Sequence, residues 1–211
     1  ENKIIQVGHI ERFNPAFMAL EKTGMSPLFI ETHRLAPFNP RGNDVPVVLD
    51  LMIHDLDIIL SLVNAKIRNI HANGVKVVSK TVDIANARLE FENGCVANLT
   101  ASRISQKDMR KIRLFQKDNY VTIDFKERVL EKYNILHNKP DNIIADKIIK
   151  IDTVNNKYIL YNRPVIQKYD ALREELRHFI HSIQNTSRPD TDGISATEAL
   201  RLALEIQSLI D

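Results

Sequence analysis

The stretch Asp50-Leu51-Met52-Ile53-His54-Asp55-Leu56-Asp57 holds the residue types best suited to acid–base chemistry. On a helix Asp50, His54 and Asp57 share one face, so a carboxylate one turn away can hydrogen-bond one imidazole nitrogen and leave the other free for a substrate. With an ordinary pKa near about 6.5, such a histidine can take a hydroxyl proton at neutral pH, a step typically worth about 10² to 10⁴ in rate. The same spacing also describes a helix histidine satisfied by its acidic neighbours, with no chemical role. A metal site is not expected, because the pattern supplies two ligands and no second pair of matching spacing accompanies it.

A second segment, Gly8-His9-Ile10-Glu11-Arg12-Phe13-Asn14-Pro15, ends a β-like run and opens a helix. Arg12 offers a fork of donors for a phosphate or carboxylate, and a helix start offers free backbone N–H groups. The plainer reading is a turn in which Glu11 pairs with Arg12 and Asn14 caps. His33 and Arg34, with Arg41 to Asp44 beyond them, form a third group that is either a binding loop or solvated surface. Cys95 has no histidine near it in sequence, and His9, His71 and His137 have no evident partner; His178 and His181 are expected at the surface. The six glycines form neither GxG nor GxxxxGK, so this chain builds no dinucleotide or P-loop cradle of its own.

These residues must be positioned by secondary structure. Residues 3–10 are apolar and β-branched and predict a strand, followed by a helix from Pro15 to about Gly24 with Gly24 as its C-cap. Residues 27–35 predict another strand, and 36–46, with three prolines and a glycine, a loop. Apolar residues at Leu49, Met52, Ile53, Leu56, Ile59, Leu60 and Val63 predict a helix carrying Asp50 and His54. Strands dominate 67–135, with a two-residue type I′ turn expected at Glu92-Asn93-Gly94-Cys95. That register places apolar side chains on both faces of the hairpin, which calls for cover on both. A further strand is expected at 157–161. Two helices close the chain, one capped by Asp170 and one opened by the capping box Ser195-Ala196-Thr197-Glu198. The expected class is α+β, a large open, mainly antiparallel sheet with helices on one face.

Composition excludes several functions. The 211 residues carry 29 Lys and Arg against 27 Asp and Glu, too balanced to mark a nucleic-acid or membrane surface, and aromatics are only 6%. No apolar run approaches the roughly 20 residues of a bilayer crossing. A single cysteine allows no internal disulfide, which suits the cytoplasm. The chain opens on Glu1 with no signal-peptide pattern and reads as a piece of a longer protein.

Taken together, the Gly8–Pro15 segment and Val48–Asp57 resemble the C-terminal domain of the Gfo/Idh/MocA oxidoreductases, in the branch acting on UDP-N-acetylhexosamines. The resemblance runs from Lys3 to the last helix. It implies a dihydrodipicolinate-reductase-like domain over 1–211 for substrate binding and oligomerisation, preceded in the whole protein by a Rossmann domain that binds NAD or NADP. It makes His54 the catalytic base and Asp50 its orienting partner, near the ribose or substrate. Arg12, Phe13, Asn14, Arg34 and Asp57 become candidate contacts to a sugar or sugar-nucleotide substrate. The open sheet face implies a homo-oligomer. The alternative is a dimerisation or ligand-sensing module that keeps this fold without the chemistry.

Overall fold

The computed structural model describes residues 3–21, 25–40, 44–138, 148–152 and 157–211. After a 3₁₀ turn at Ile10–Phe13 come helix α1 (Pro15–Glu21), strand β1 (Phe29–Leu35), a π turn at Val48–Met52 and helix α2 (Ile53–Leu62). Strands β2 (Ile67–Val75), β3 (Ile84–Phe91), β4 (Val96–Ser102), β5 (Met109–Gln116), β6 (Asn119–Asp124), β7 (Val129–Leu136), β8 (Ile148–Asp152) and β9 (Lys157–Asn162) follow, then helices α3 (Ala171–Gln184) and α4 (Gly193–Ile210).

The nine strands form one sheet in the order β2-β3-β4-β1-β5-β6-β7-β9-β8. Only β1 and β4 run parallel; every other neighbouring pair is antiparallel. Alternation of side chains puts Ile30, Ala87, Leu89, Leu99, Ile112 and Leu114 on one face, fully buried against Phe17 and Leu20 of α1, Leu56 and Ile59 of α2, and Leu202 and Ile206 of α4. Each large side chain buried there contributes on the order of 1.5–3 kcal/mol. The expected class is therefore the observed one.

The opposite face is not covered by the helices. Across β1, β5, β6, β7 and β9 it carries a row of directly paired aromatics, Phe29, Phe115, Tyr120, Tyr133 and Tyr161. Successive ring centroids lie 4.7 to 5.8 Å apart, the spacing at which cross-strand aromatic pairs stabilise a sheet.

Three local expectations are corrected, and one helix face is left open. Residues 3–10 form no ladder strand: a single bridge joins Gln6 to Asp192, Val7 N–H donates to Thr191 O, and Ile5 stays 61% exposed. Strand propensity without a neighbour to pair with does not make a strand. The 92–95 turn has three residues rather than two, since Phe91 N–H donates to Cys95 O and only Gly94 takes positive φ, at 85°. The register moves by one, pairing Ala87 with Leu99 and Leu89 with Ala97. Ala85, Ala87, Leu89 and Phe91 of β3 and Ala97, Leu99 and Ala101 of β4 then share the buried face, and Asn86, Arg88, Glu90 and Asn98 the other. The last helix begins two residues before Ser195, with Asp192 as its cap accepting from Ser195 N at 2.9 Å. Finally, the apolar stripe of α3 is not core: Leu172, Leu176, Ile180 and Ile183 are each about half exposed. The expected Asp170 cap is present, accepting from Leu172 N at 2.9 Å. Gly24 and Arg41 to Asn43 lie outside the described residues.

Candidate active site

Three segments converge at the start of α2. The residues from His9 to Asn14 lie against it, β1 supplies Arg34 from the covered sheet face, and α2 supplies His54, Asp55 and Asp57. Arg34 is 4% exposed. Its Nη2 and Nε both donate to Oδ1 of Asp55, at 2.7 and 3.1 Å, and its Nη1 donates to Oε1 of Glu11 at 3.0 Å. Arg110 of β5 approaches the same Glu11 oxygen at 3.7 Å. Burial works against the Arg34 charge, yet Asp55 and Glu11 hold it more firmly protonated than an exposed arginine. Burial likewise raises the Asp55 carboxyl above its ordinary value, with Arg34 pulling the other way. The expected Glu11–Arg12 pair gives way to Glu11–Arg34, and Arg34 is buried between Glu11 and Asp55.

Asn14 and Phe13 are buried too. Asn14 Oδ1 accepts from Ala16 N at 3.1 Å to cap α1, while its Nδ2 donates to Phe125 O at 2.9 Å and to Glu11 Oε2 at 3.3 Å. Phe13 is buried, its ring 5.2 Å from that of His178. Arg12 is half-buried, with its guanidinium 5.7 Å from the centre of the Phe17 ring.

His54 sits in the first turn of α2, half-buried. Its Nδ1 is buried and accepts or donates no hydrogen bond, which leaves Nε2 as the nitrogen able to reach outward. Burial is the main cause that lowers its pKa to about 4, and the charges of Arg34, His9 and Arg110 act in the same direction while Glu11 opposes them. At neutral pH the ring is a neutral acceptor.

The expected Asp50–His54 hydrogen bond is absent. Asp50 is exposed, and the backbone between them is a π turn in which Ile53 N–H reaches Val48 O, five residues back. Such a turn is wider than an α-turn, and the spacing of four no longer stacks the two side chains as it does on an α-helix. The neighbour of the His54 ring is instead His9, edge-on at 6.0 Å between centroids and 81° between planes. Asp57 is buried, its carboxyl raised by burial against the pull of His9 and Arg12. Among the described residues no group of three His, Cys, Asp or Glu side chains is arranged to hold a metal ion. Cys95 is fully buried, which pushes its thiol up to about 11.

The sequence reading missed the roles of His9, Glu11, Asp55 and Arg110. The adjacency of Asp55 to His54 was the one local hint, whereas the rest depends on contacts between distant segments.

An open sheet with helices on one face and a histidine in the first turn of the helix after β1 defines the class. Residues 33–123 match the GFO/IDH/MocA C-terminal domain, and the chain as a whole is similar to dehydrogenases. It is 33% identical over 209 residues to the UDP-N-acetylglucosamine 3-dehydrogenase of Acidithiobacillus ferrooxidans, spanning 99% of this chain and 63% of that protein. The solved structure of that enzyme, GnnA, superposes with a TM-score of 0.84 at 32% identity, covering 98% of this chain and 62% of that one. The dehydrogenase MviM of Clostridium difficile has the same fold, with a TM-score of 0.74 at 18% identity, over 99% of this chain and 63% of its own. So does levoglucosan dehydrogenase, solved with NADH and L-sorbose, with a TM-score of 0.73 at 12% identity, over 99% and 64%. The chain thus spans less than two thirds of the relatives it matches.

Proposed function

We propose that the chain is the substrate-binding and oligomerisation domain of an NAD- or NADP-dependent sugar-nucleotide dehydrogenase, acting in the cytoplasm on a hydroxyl of a UDP-N-acetylhexosamine. The observation that carries this is a neutral, half-buried His54 with its outer nitrogen free, in a chain similar along 99% of its length to a UDP-N-acetylglucosamine 3-dehydrogenase. His54 Nε2 takes the hydroxyl proton as the carbon is oxidised. Buried Arg34 disfavours a charged His54 and so keeps the ring ready to accept. Asp50, exposed one turn earlier, is placed to accept a hydrogen bond from a ribose or substrate hydroxyl, and Arg12 to meet an anionic group.

The nicotinamide cofactor would supply the hydride acceptor. Its pyrophosphate finds no glycine cradle in this chain, so a preceding Rossmann domain holds it. The exposed stripe Leu172, Leu176, Ile180 and Ile183 on α3, the helix whose Glu175 O accepts from Gln6 Nε2, offers that domain an apolar surface. The aromatic row on the open sheet face supports homo-oligomerisation through that face.

The test is cofactor reduction by the full-length protein with UDP-N-acetylglucosamine. His54→Ala is expected to lower kcat by about 10² to 10⁴. A rate within a few-fold of wild type overturns the general-base assignment.

A further inference from the structure

Oxidising an alcohol with a nicotinamide releases one proton for each hydride transferred, and in a closed cleft that proton needs a route to water. Beside His54 the structure holds polar atoms that its own scaffold does not use. His9 is 6% exposed and its Nδ1 is buried without a partner. Nδ1 of His54 and Oδ2 of Asp57 are buried and unpartnered as well. The three belong together: His54 and Asp57, three residues apart, lie on one face of α2, and the His9 ring packs edge-on against His54 and interacts electrostatically with the Asp57 carboxyl. Asp57 in turn lines a cavity of about 820 Å³ with Arg12, Ser61, Arg68, Ser195 and Arg201, towards the far end of α2 from His54.

Resting on the dehydrogenase reading, we infer that His54, His9 and Asp57 form a proton relay that carries the substrate's hydroxyl proton through the protein to this cavity. The O–H bond breaks as His54 Nε2 takes the proton, and the electron pair left on oxygen forms the carbonyl as hydride leaves carbon for the cofactor. His54 then gives up the proton on Nδ1 towards His9, His9 passes one to Asp57 Oδ2, and Asp57 releases it to the cavity. Imidazole suits such a chain because it accepts at one nitrogen while donating from the other, and each transfer can run directly or through one water.

The electrostatics favour onward passage. Buried Arg34, exposed Arg110 and His9 all act against a charged His54 ring while Glu11 favours it, so a proton on His54 is short-lived near neutral pH. Asp57 faces His9 and Arg12, and burial raises its carboxyl above the ordinary value while both of them pull it down. No side chain of the scaffold competes for the unpartnered atoms.

The test uses the full-length protein with His9→Phe, which keeps a ring against His54 but has no nitrogen, His9→Ala, and Asp57→Asn. In weak buffer, kcat is expected to fall at least tenfold in each with KM for the sugar nucleotide unchanged, the solvent deuterium effect on kcat to grow, and imidazole to restore part of the His9→Ala rate. Wild-type-like kcat in His9→Phe and Asp57→Asn overturns the relay. A loss that neither buffer nor imidazole relieves also overturns it, in favour of a packing role. Histidine ¹⁵N resonances of the substrate-free protein give a readout that needs no substrate: His9→Phe is expected to move the titration of His54 upward, and an unmoved titration overturns the coupling. A coupled pair in a protein inactive on UDP-N-acetylglucosamine counts instead against the substrate assignment.

Discussion

Replacing Arg34 by methionine keeps a long side chain but removes the only cation within hydrogen-bond distance of both Asp55 and Glu11 among the described residues. Breaking a buried ion pair from one side costs about 3–5 kcal/mol, because the carboxylates are left in a poor solvent without a counter-charge. Protonation limits the loss: bringing one carboxyl with an unfolded-state pKa near about 3.9 to its neutral form at about pH 7 costs roughly 4 kcal/mol. For a domain of this size each kcal/mol lowers Tm by about 2–4 °C, so Arg34→Met is expected to lower it by roughly 6–20 °C at neutral pH. The pH dependence has a definite sign. Without Arg34 the folded-state pKa of Asp55 rises further, so the penalty is fully present at neutral pH and shrinks as pH falls through that raised value towards the unfolded one. The assay is thermal unfolding of wild type, Arg34→Met and Arg34→Met/Asp55→Leu at neutral and mildly acid pH. The double variant removes the stranded charge and should recover most of the loss. A single variant within about 3 °C of wild type, or a double variant less stable than the single, refutes the reasoning.

Two further outcomes follow from local geometry. His54 is held near pKa 4 in the folded chain against 6.5 when unperturbed, so its neutral state adds stability that is present above the higher value and lost as pH falls towards the lower. His54→Gln should reduce that pH-dependent difference by about 3 kcal/mol, read from urea unfolding at neutral and acid pH; an unchanged difference sinks the assignment. A Cβ on Gly74 would meet Ile210 Cγ2 at 2.6 Å and Val82 Cγ1 at 2.7 Å, so Gly74→Ala should cost about 1–3 kcal/mol in thermal unfolding. Adding Ile210→Ala should relieve part of that cost, and strict additivity of the two losses would rule the clash out.

Where sequence reading succeeded, the signal was local. The spacing of Leu56, Ile59 and their neighbours specifies α2, alternation specifies β3 and β4, and Asp170 caps α3 through bonds to residues two and three positions on. It failed where a local preference was settled by something a few residues further off or in another segment. Asn93 could have taken positive φ in a two-residue turn; its side chain instead accepts from Cys95 N at 3.0 Å, which holds a three-residue loop and shifts every pair of the hairpin. The apolar run at residues 3–10 has the composition of a strand but meets, as a β-partner, the loop before α4 through a single bridge.

The same distinction explains the site. His54 was legible because its type and the motif around it are written in consecutive residues, whereas what surrounds its ring is not. Glu11, Arg34 and Asp55 come from three segments, and their mutual neutralisation requires the sheet to bring β1 under α2. The π turn before α2 replaces the expected acid one turn earlier with a second imidazole from the start of the chain. A carboxylate hydrogen-bonded to His54 would have stabilised its cation; Arg34 and His9 destabilise it. The two arrangements use the same histidine but predict opposite shifts in its pKa, so the imidazole here is one tuned to release a proton rather than to keep it.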